Sequence, residues 1–499
     1  MNRVANVFIS RLNQFFIKDL KTDQLLTYRE FFIKSYNLSK YLISIGVKKK
    51  EKIIVISGNS LFKVIFFFSS IFNNYHLIIL DDYEKEKNLK KIIKKFNIKF
   101  FFIEKKYLSI FKKKRINGDY FIIKNNLKKN EKKIFEIKNF NENKILNLNS
   151  EIKKINFNIK IPYLTILTSG TTGIPKGIIH NLESLFNSAI NFNKFNKINY
   201  KCVMAHFFSM SYMAGILNTI FSPFLAGGKI ILFERFNALS GLSFWQKAIK
   251  NKVNYFWASP TMLNMIIKLN RFQKVKYYTK NYLKKIFIGT AQFPKDQKKF
   301  SKKIYYNKVL ESYGTTEDLF ITCEKINNKM DSSGKLLPNV KVKIFDKKKI
   351  MIKSNSMHFG SYNIEKRKII LNNKKKWRDT GDLGELLNNN YLNIIGRDKD
   401  IIIKGGKNIY PIIIENLLYN NKNIKQVAAV GLKNKLYGEE IAIFYNTYNK
   451  VNKKKFENKL MQLCDKQLNK NYRPDRFIYK NYLDQTKTGK IKKNTLKLL

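Results

Sequence analysis

The sequence predicts an α/β protein. Its large N-terminal domain combines parallel-sheet αβ subdomains with a β-rich subdomain, and a small α+β C-terminal domain follows. Three observations carry this reading. Residues 53–57 and 76–80 are apolar, β-branched runs separated by a helical pattern, and strand–helix–strand at that spacing requires a parallel sheet. Residues 163–167 read as another buried strand and run straight into a glycine- and hydroxyl-rich loop. Residues 340–345 alternate, and residues 427–431 and 440–445 read as further strands near the C-terminus. At 499 residues the chain exceeds what one hydrophobic core usually organises.

The first helix is expected from Leu26-Thr27-Tyr28-Arg29-Glu30 through Leu38, Leu42 and Ile43, ending near Gly46. Asn59-Ser60 caps the next. The stretch 61–80 is the most membrane-like, but Lys63, Asn73, Asn74 and His76 interrupt it, so a core helix running into a strand is expected and no membrane span. Residues 85–160 are rich in lysine and asparagine, with β-like islands at 99–103 and 120–123, and read as a drifted section of the first domain. A net charge of +60 would ordinarily point to nucleic acid or an anionic membrane. Lysine, asparagine, isoleucine, phenylalanine and tyrosine are inflated together throughout, as an A/T-rich coding sequence produces. A diffusely basic surface is therefore expected, with no nucleic-acid partner. Cys202, Cys323 and Cys464 are widely spaced and odd in number, which builds neither a disulfide framework nor a metal site and fits a reducing cytoplasm. The first residues lack the apolar segment of a signal peptide.

The glycine loop is Thr168-Ser169-Gly170-Thr171-Thr172-Gly173-Ile174-Pro175-Lys176-Gly177. Glycines let backbone N–H groups approach an anion, hydroxyls donate further hydrogen bonds, and Lys176 adds a mobile positive charge. The loop suits a polyphosphate, although its spacing is not that of a Walker A loop. Apolar Ile178-Ile179 and a helical pattern follow. This segment resembles the phosphate-binding signature of the ANL superfamily of adenylate-forming enzymes, which includes acyl-CoA synthetases, adenylation domains and luciferases.

Three later motifs occur in that superfamily's order. The second ends in Ser312-Tyr313-Gly314-Thr315-Thr316-Glu317. Tyr313 offers a flat face to a purine, Thr316 a donor to a phosphate oxygen, and Glu317 a hard oxygen ligand for Mg²⁺. In the third, Trp377-Arg378-Asp379-Thr380-Gly381-Asp382, the Asp382 carboxylate can accept from two adjacent ribose hydroxyls. In the fourth, starting at Gly396, the resemblance assigns Arg397 to the ribose and Lys399 to a hinge between domains 1–397 and 398–499. It also implies that the small domain is mobile and that Lys490, after Gly489, is the adenylation lysine. Gly289, Thr290 and Ala291 follow a strand, where open parallel sheets bind ligands, and are candidate walls for adenine and acid. The acid-pocket aromatic or histidine, on a helix in the superfamily, falls on Tyr212 by counting back from Gly215 or on His206 by residue type. Gln485 stands where proline is usual.

The implied chemistry is attack of a carboxylate on the α-phosphorus of ATP, loss of pyrophosphate, and transfer to a thiol. The implied cofactors are ATP and Mg²⁺, with coenzyme A or a carrier phosphopantetheine as acceptor. An acyl-CoA ligase is expected. A stand-alone enzyme loading an acyl carrier protein and a non-catalytic basic nucleotide- or polyanion-binding protein are the other readings.

Overall fold

Local chemistry starts and stops the elements. Helix Tyr28–Ser44 begins at a capping box in which the Thr27 hydroxyl accepts from the Glu30 N–H and the Glu30 carboxylate accepts from the Thr27 N–H. Helix Leu61–Phe72 starts where the Ser60 side chain accepts from the Lys63 N–H, and every one of its residues is buried. It is therefore a core helix packed on all sides. The computed structural model describes residues 3–80, 92, 96, 98–104, 119–123, 134–135, 148, 152–153, 157–168, 176–291, 293–328, 330–363, 368–485 and 491–497.

Among the described residues, two large sheets carry the N-terminal part. In the seven-stranded sheet, Val309–Glu311, Lys285–Ile288, Tyr255–Ala258, Val203–His206, Lys229–Leu232 and Phe15–Asp19 run parallel in that spatial order. Leu25–Thr27 closes one edge antiparallel. In the nine-stranded sheet, Lys52–Ile56 pairs parallel with His76–Leu80 and Phe100–Glu104, as the strand–helix–strand spacing requires. Pro162–Thr168 joins parallel to His76–Leu80 and then pairs antiparallel with Lys176–Asn181. The strands on either side of the glycine loop thus pair with each other, and a strand intervenes before the helical pattern that the sequence suggested. The helix follows at Leu182–Asn196, capped by Asn181.

The β-rich part is a six-stranded antiparallel sheet that includes Arg378–Leu387 and Tyr391–Arg397. A separate five-stranded sheet lies in residues 402–479. Its long hairpin, Ile424–Asn434 with Gly438–Thr447, packs against helices Pro411–Tyr419 and Lys453–Gln467 around its own apolar core. The three cysteines are buried and unpaired. Among the described residues no helix is long and apolar enough to cross a membrane.

Candidate nucleotide site

The site forms where strands of different sheets end. Strand Lys285–Ile288 stops at Gly289, whose N–H donates to the Ala258 carbonyl. A Cβ on Gly289 would lie 3.1 Å from the Ser312 carbonyl, so glycine permits close passage of the segment that carries Tyr313. Thr290, next in line, is exposed at φ 69°, and Ala291 is half-buried.

Tyr313 reaches across to the β-rich sheet. Its hydroxyl donates to Asp382 Oδ2 at 2.7 Å, and Arg397 Nε lies 2.9 Å from Asp382 Oδ1. Asp382 and Arg397 are directly opposed in the antiparallel pairing of their strands. Three residues from three separate motifs are therefore joined through one buried carboxylate. A carboxylate has about four lone-pair directions, so Asp382 keeps acceptor capacity for two vicinal hydroxyls. Burial, and then the charge of Asp382, hold the Tyr313 phenol well above its ordinary range, so it stays a donor.

Thr316 and Glu317 occupy the turn of a short hairpin, Gly314–Thr315 with Leu319–Phe320. Both are half-buried. The hairpin is anchored behind by Phe320, which stacks on Phe192 at 4.1 Å and whose N–H donates to Ser188 Oγ. Asp318 is fully buried in front of it. Its carboxylate accepts from the Thr315 hydroxyl at 2.8 Å and from Arg378 Nε at 2.8 Å, with a second short contact to the Arg378 guanidinium. The carbonyls of the turn are also held. His180 Nε2 lies 2.7 Å from the Thr316 carbonyl, and the His358 N–H donates to the Glu317 carbonyl at 2.7 Å. Burial brings the His180 imidazole down to about 3. Burial, Arg378 and Lys176 together bring His358 down to about 4. Lys176, exposed at the head of its strand, is thus electrostatically within reach of the Glu317 turn.

Other expected positions fall elsewhere. Thr168 ends its strand opposite Lys176. Ser169, Gly170, Thr171, Thr172, Gly173 and Lys490 lie outside the described residues. Next to Lys490, Gln485 and Ile491 pair as an isolated antiparallel bridge. His206 ends strand Val203–His206 and is fully buried, so it does not sit on a helix as the resemblance implied. Its Nδ1 lies 2.7 Å from Thr219 Oγ1. Tyr212 precedes the π-helix Ala214–Phe221 and is not on it. Gly215, in that helix, lies so close to the Ser209 carbonyl that a Cβ would sit 2.1 Å from it. Lys399 is exposed on the short turn Asp398–Asp400, between strands Tyr391–Arg397 and Ile402–Lys404.

Residues 3–355 match the family model of the AMP-binding enzyme, and residues 413–490 match that of its C-terminal domain. The chain belongs to the AMP-binding enzyme family. This places it in the superfamily of adenylate-forming enzymes that its motifs resemble. Among curated relatives, the AMP-binding chain is 28% identical over 348 residues to the long-chain-fatty-acid–CoA ligase FadD13 of Mycobacterium tuberculosis, an alignment covering 66% of each protein. It is 26% identical over 367 residues to the 2-succinylbenzoate–CoA ligase of Bacillus pumilus, covering 69% of this chain and 71% of the relative. Its fold matches ATP-bound MatB from Rhodopseudomonas palustris with a TM-score of 0.83 at 17% identity, covering 100% and 99% of the two chains. It also matches o-succinylbenzoate CoA synthetase from Bacillus subtilis, in complex with its acyl-adenylate, with a TM-score of 0.80 at 19% identity, covering 99% and 98%.

In this AMP-binding chain, sequence reasoning missed His180, Asp318, His358 and Arg378. Asp318 directly follows the motif that ends at Glu317, and Arg378 sits inside the next one, directly after Trp377. The signal was a second carboxylate beside Glu317 and the one guanidinium in the motif of Asp382. Only the fold shows that they meet.

Proposed function

We propose that the protein activates a carboxylic acid with ATP, forming an acyl-adenylate and releasing pyrophosphate, and then transfers the acyl group to coenzyme A. The observation that carries this reading is the Tyr313–Asp382–Arg397 constellation, which brings three motifs onto one carboxylate. Asp382 would accept from the ribose hydroxyls while Tyr313 lies along the base. Its charge disfavours a ligand already phosphorylated there.

The residues present also fit a magnesium nucleotide. Glu317 supplies one hard oxygen on a held turn, and Mg²⁺ binds through one or two carboxylates plus phosphate oxygens and water. When bound, the ion would neutralise phosphate charge. The chain's own groups do the rest. Thr316 would donate to a phosphate oxygen, Lys176 and the glycine loop would bind the polyphosphate, and Lys490 would supply an ammonium group to the charge that develops. No side-chain nucleophile is required, because the substrate carboxylate attacks. The small domain, 398–499, turns about Lys399 between adenylation and thioester formation, as hinges absorb φ/ψ change at a few residues.

Coenzyme A is favoured as acceptor because both curated relatives are named as CoA ligases; loading of a carrier phosphopantetheine is the other outcome. The test is acid-dependent ATP–pyrophosphate exchange across fatty, aryl and dicarboxylic acids, followed by thioester assay with coenzyme A and with a phosphopantetheinylated carrier. Exchange with at least one acid supports the reading. Nucleotide binding with no exchange from any acid would make the chain a non-catalytic binder.

A further inference from the structure

Glu317 lies in the three-residue turn Thr316–Asp318 of a two-stranded sheet, the smallest among the described residues, and two strands of such a hairpin are marginal alone. Something else must set where its carboxylate points. The Thr316 carbonyl meets His180 Nε2 at 2.7 Å. A carbonyl only accepts, so Nε2 carries the proton and Nδ1 is left as a bare acceptor. That Nδ1 is buried and has no partner among the described residues. The residue is 0% exposed, in a strand whose preceding residues, Ile178 and Ile179, are apolar core. An aliphatic residue would fill this place without burying an unmatched nitrogen. What the imidazole adds is one directed donor, and it is spent on the turn bearing Glu317.

The backbone around this contact belongs to the glycine-loop hairpin. His180 lies four positions after Lys176 on the strand that leaves the loop. The same strand pairs with Gly360–Asn363. The Phe359 N–H donates to Ile179, and the neighbouring His358 N–H donates to the Glu317 carbonyl. Both successive carbonyls, of Thr316 and Glu317, are therefore held from the sheet that carries the phosphate loop. From the other side, Arg378 grips Asp318 from the strand that carries Asp382.

We infer that His180 is a positioning residue, the strut through which the phosphate-loop strand sets the direction of the Glu317 carboxylate toward the divalent ion. Its hydrogen bond matters for metal placement and has no part in proton transfer. This rests on the functional reading above and adds a residue to it.

The experiment compares His180→Leu, His180→Gln and His180→Asn. Glutamine can bring an amide N–H to about the reach of Nε2, whereas asparagine is one methylene too short. Mn²⁺ binding to each protein with a non-hydrolysable ATP analogue is followed by the loss of the free-ion electron paramagnetic resonance signal. Melting temperatures and the KM of the acid are measured in parallel. The leucine and asparagine variants are expected to weaken Mn²⁺ binding about tenfold, as loss of one buried hydrogen bond would, with the KM of the acid unchanged. The glutamine variant is expected within about threefold of the natural protein. If the leucine variant does not fold, the glutamine–asparagine comparison decides. Equal Mn²⁺ affinity in all folded variants, or equal weakening by glutamine and asparagine, would overturn the assignment. If the natural protein itself holds no Mn²⁺–nucleotide, the functional reading fails instead, so the two failures are distinguishable.

Discussion

The Tyr313 hydroxyl and the Arg397 guanidinium converge on Asp382, and each contact belongs to a residue legible in the sequence as part of a motif. Replacing Tyr313 by Phe removes one hydrogen bond to a carboxylate and keeps the ring. It is expected to weaken ATP binding by about 1–2 kcal/mol, roughly five- to thirtyfold, measured by calorimetry. Unchanged affinity would mean that the phenol does not orient Asp382. The buried histidines make a second residue-scale prediction. Burial brings His76, His180 and His206 from 6.5 to about 3 each. The unfolded chain therefore binds protons below about 6.5 that the folded chain refuses. Stability is fully present above that pH and is lost as pH falls toward 3. Between pH 7.5 and 5.5 these three and His358, brought down to about 4, should cost about 5–6 kcal/mol together, at about 1.4 kcal/mol each. Urea midpoints at the two pH values check this, and a flat profile would contradict it.

Elements were legible where periodicity and punctuation agree. The helix at Tyr28–Ser44, with its cap at Thr27 and left-handed Gly46, follows from local chemistry. So do the strands at Lys52–Ile56 and His76–Leu80. Strand Lys176–Asn181 was not legible. Its six residues hold too short an apolar run to separate from the helix that follows, and what makes it a strand is pairing on both sides, with Pro162–Thr168 and the distant Gly360–Asn363. Charge pairs between elements were equally invisible. Lys298, on helix Lys295–Ile304, lies 2.6 Å from Glu311 and 3.0 Å from Glu324, behind the strand that leads to Tyr313. Lys302 also reaches Glu324. Lys298→Met is expected to cost about 3–5 kcal/mol, because it strands buried carboxylates. Denaturant unfolding measures it, and a loss below about 1 kcal/mol would show that Lys302 alone neutralises the pair.

At the scale of the molecule, different sheets, the two largest packed on one shared apolar core, each deliver part of one candidate site. The strand after the glycine loop brings Lys176 and His180, the parallel sheet brings Gly289 and the Tyr313 segment, and the β-rich sheet brings Asp382 and Arg397. The motifs announced the parts in order, but which carboxylate collects which donor needed the fold. The central claim is that these parts activate a carboxylic acid with ATP and that Lys490 serves that step. The most direct measurement is acid-dependent exchange of labelled pyrophosphate into ATP by the natural protein and by Lys490→Ala, with magnesium-nucleotide binding measured on both. The account predicts exchange with at least one acid, a fall of about a hundredfold or more in the variant, and binding within about threefold. Exchange at the natural rate in the variant, or none from the natural protein with any acid, would contradict it.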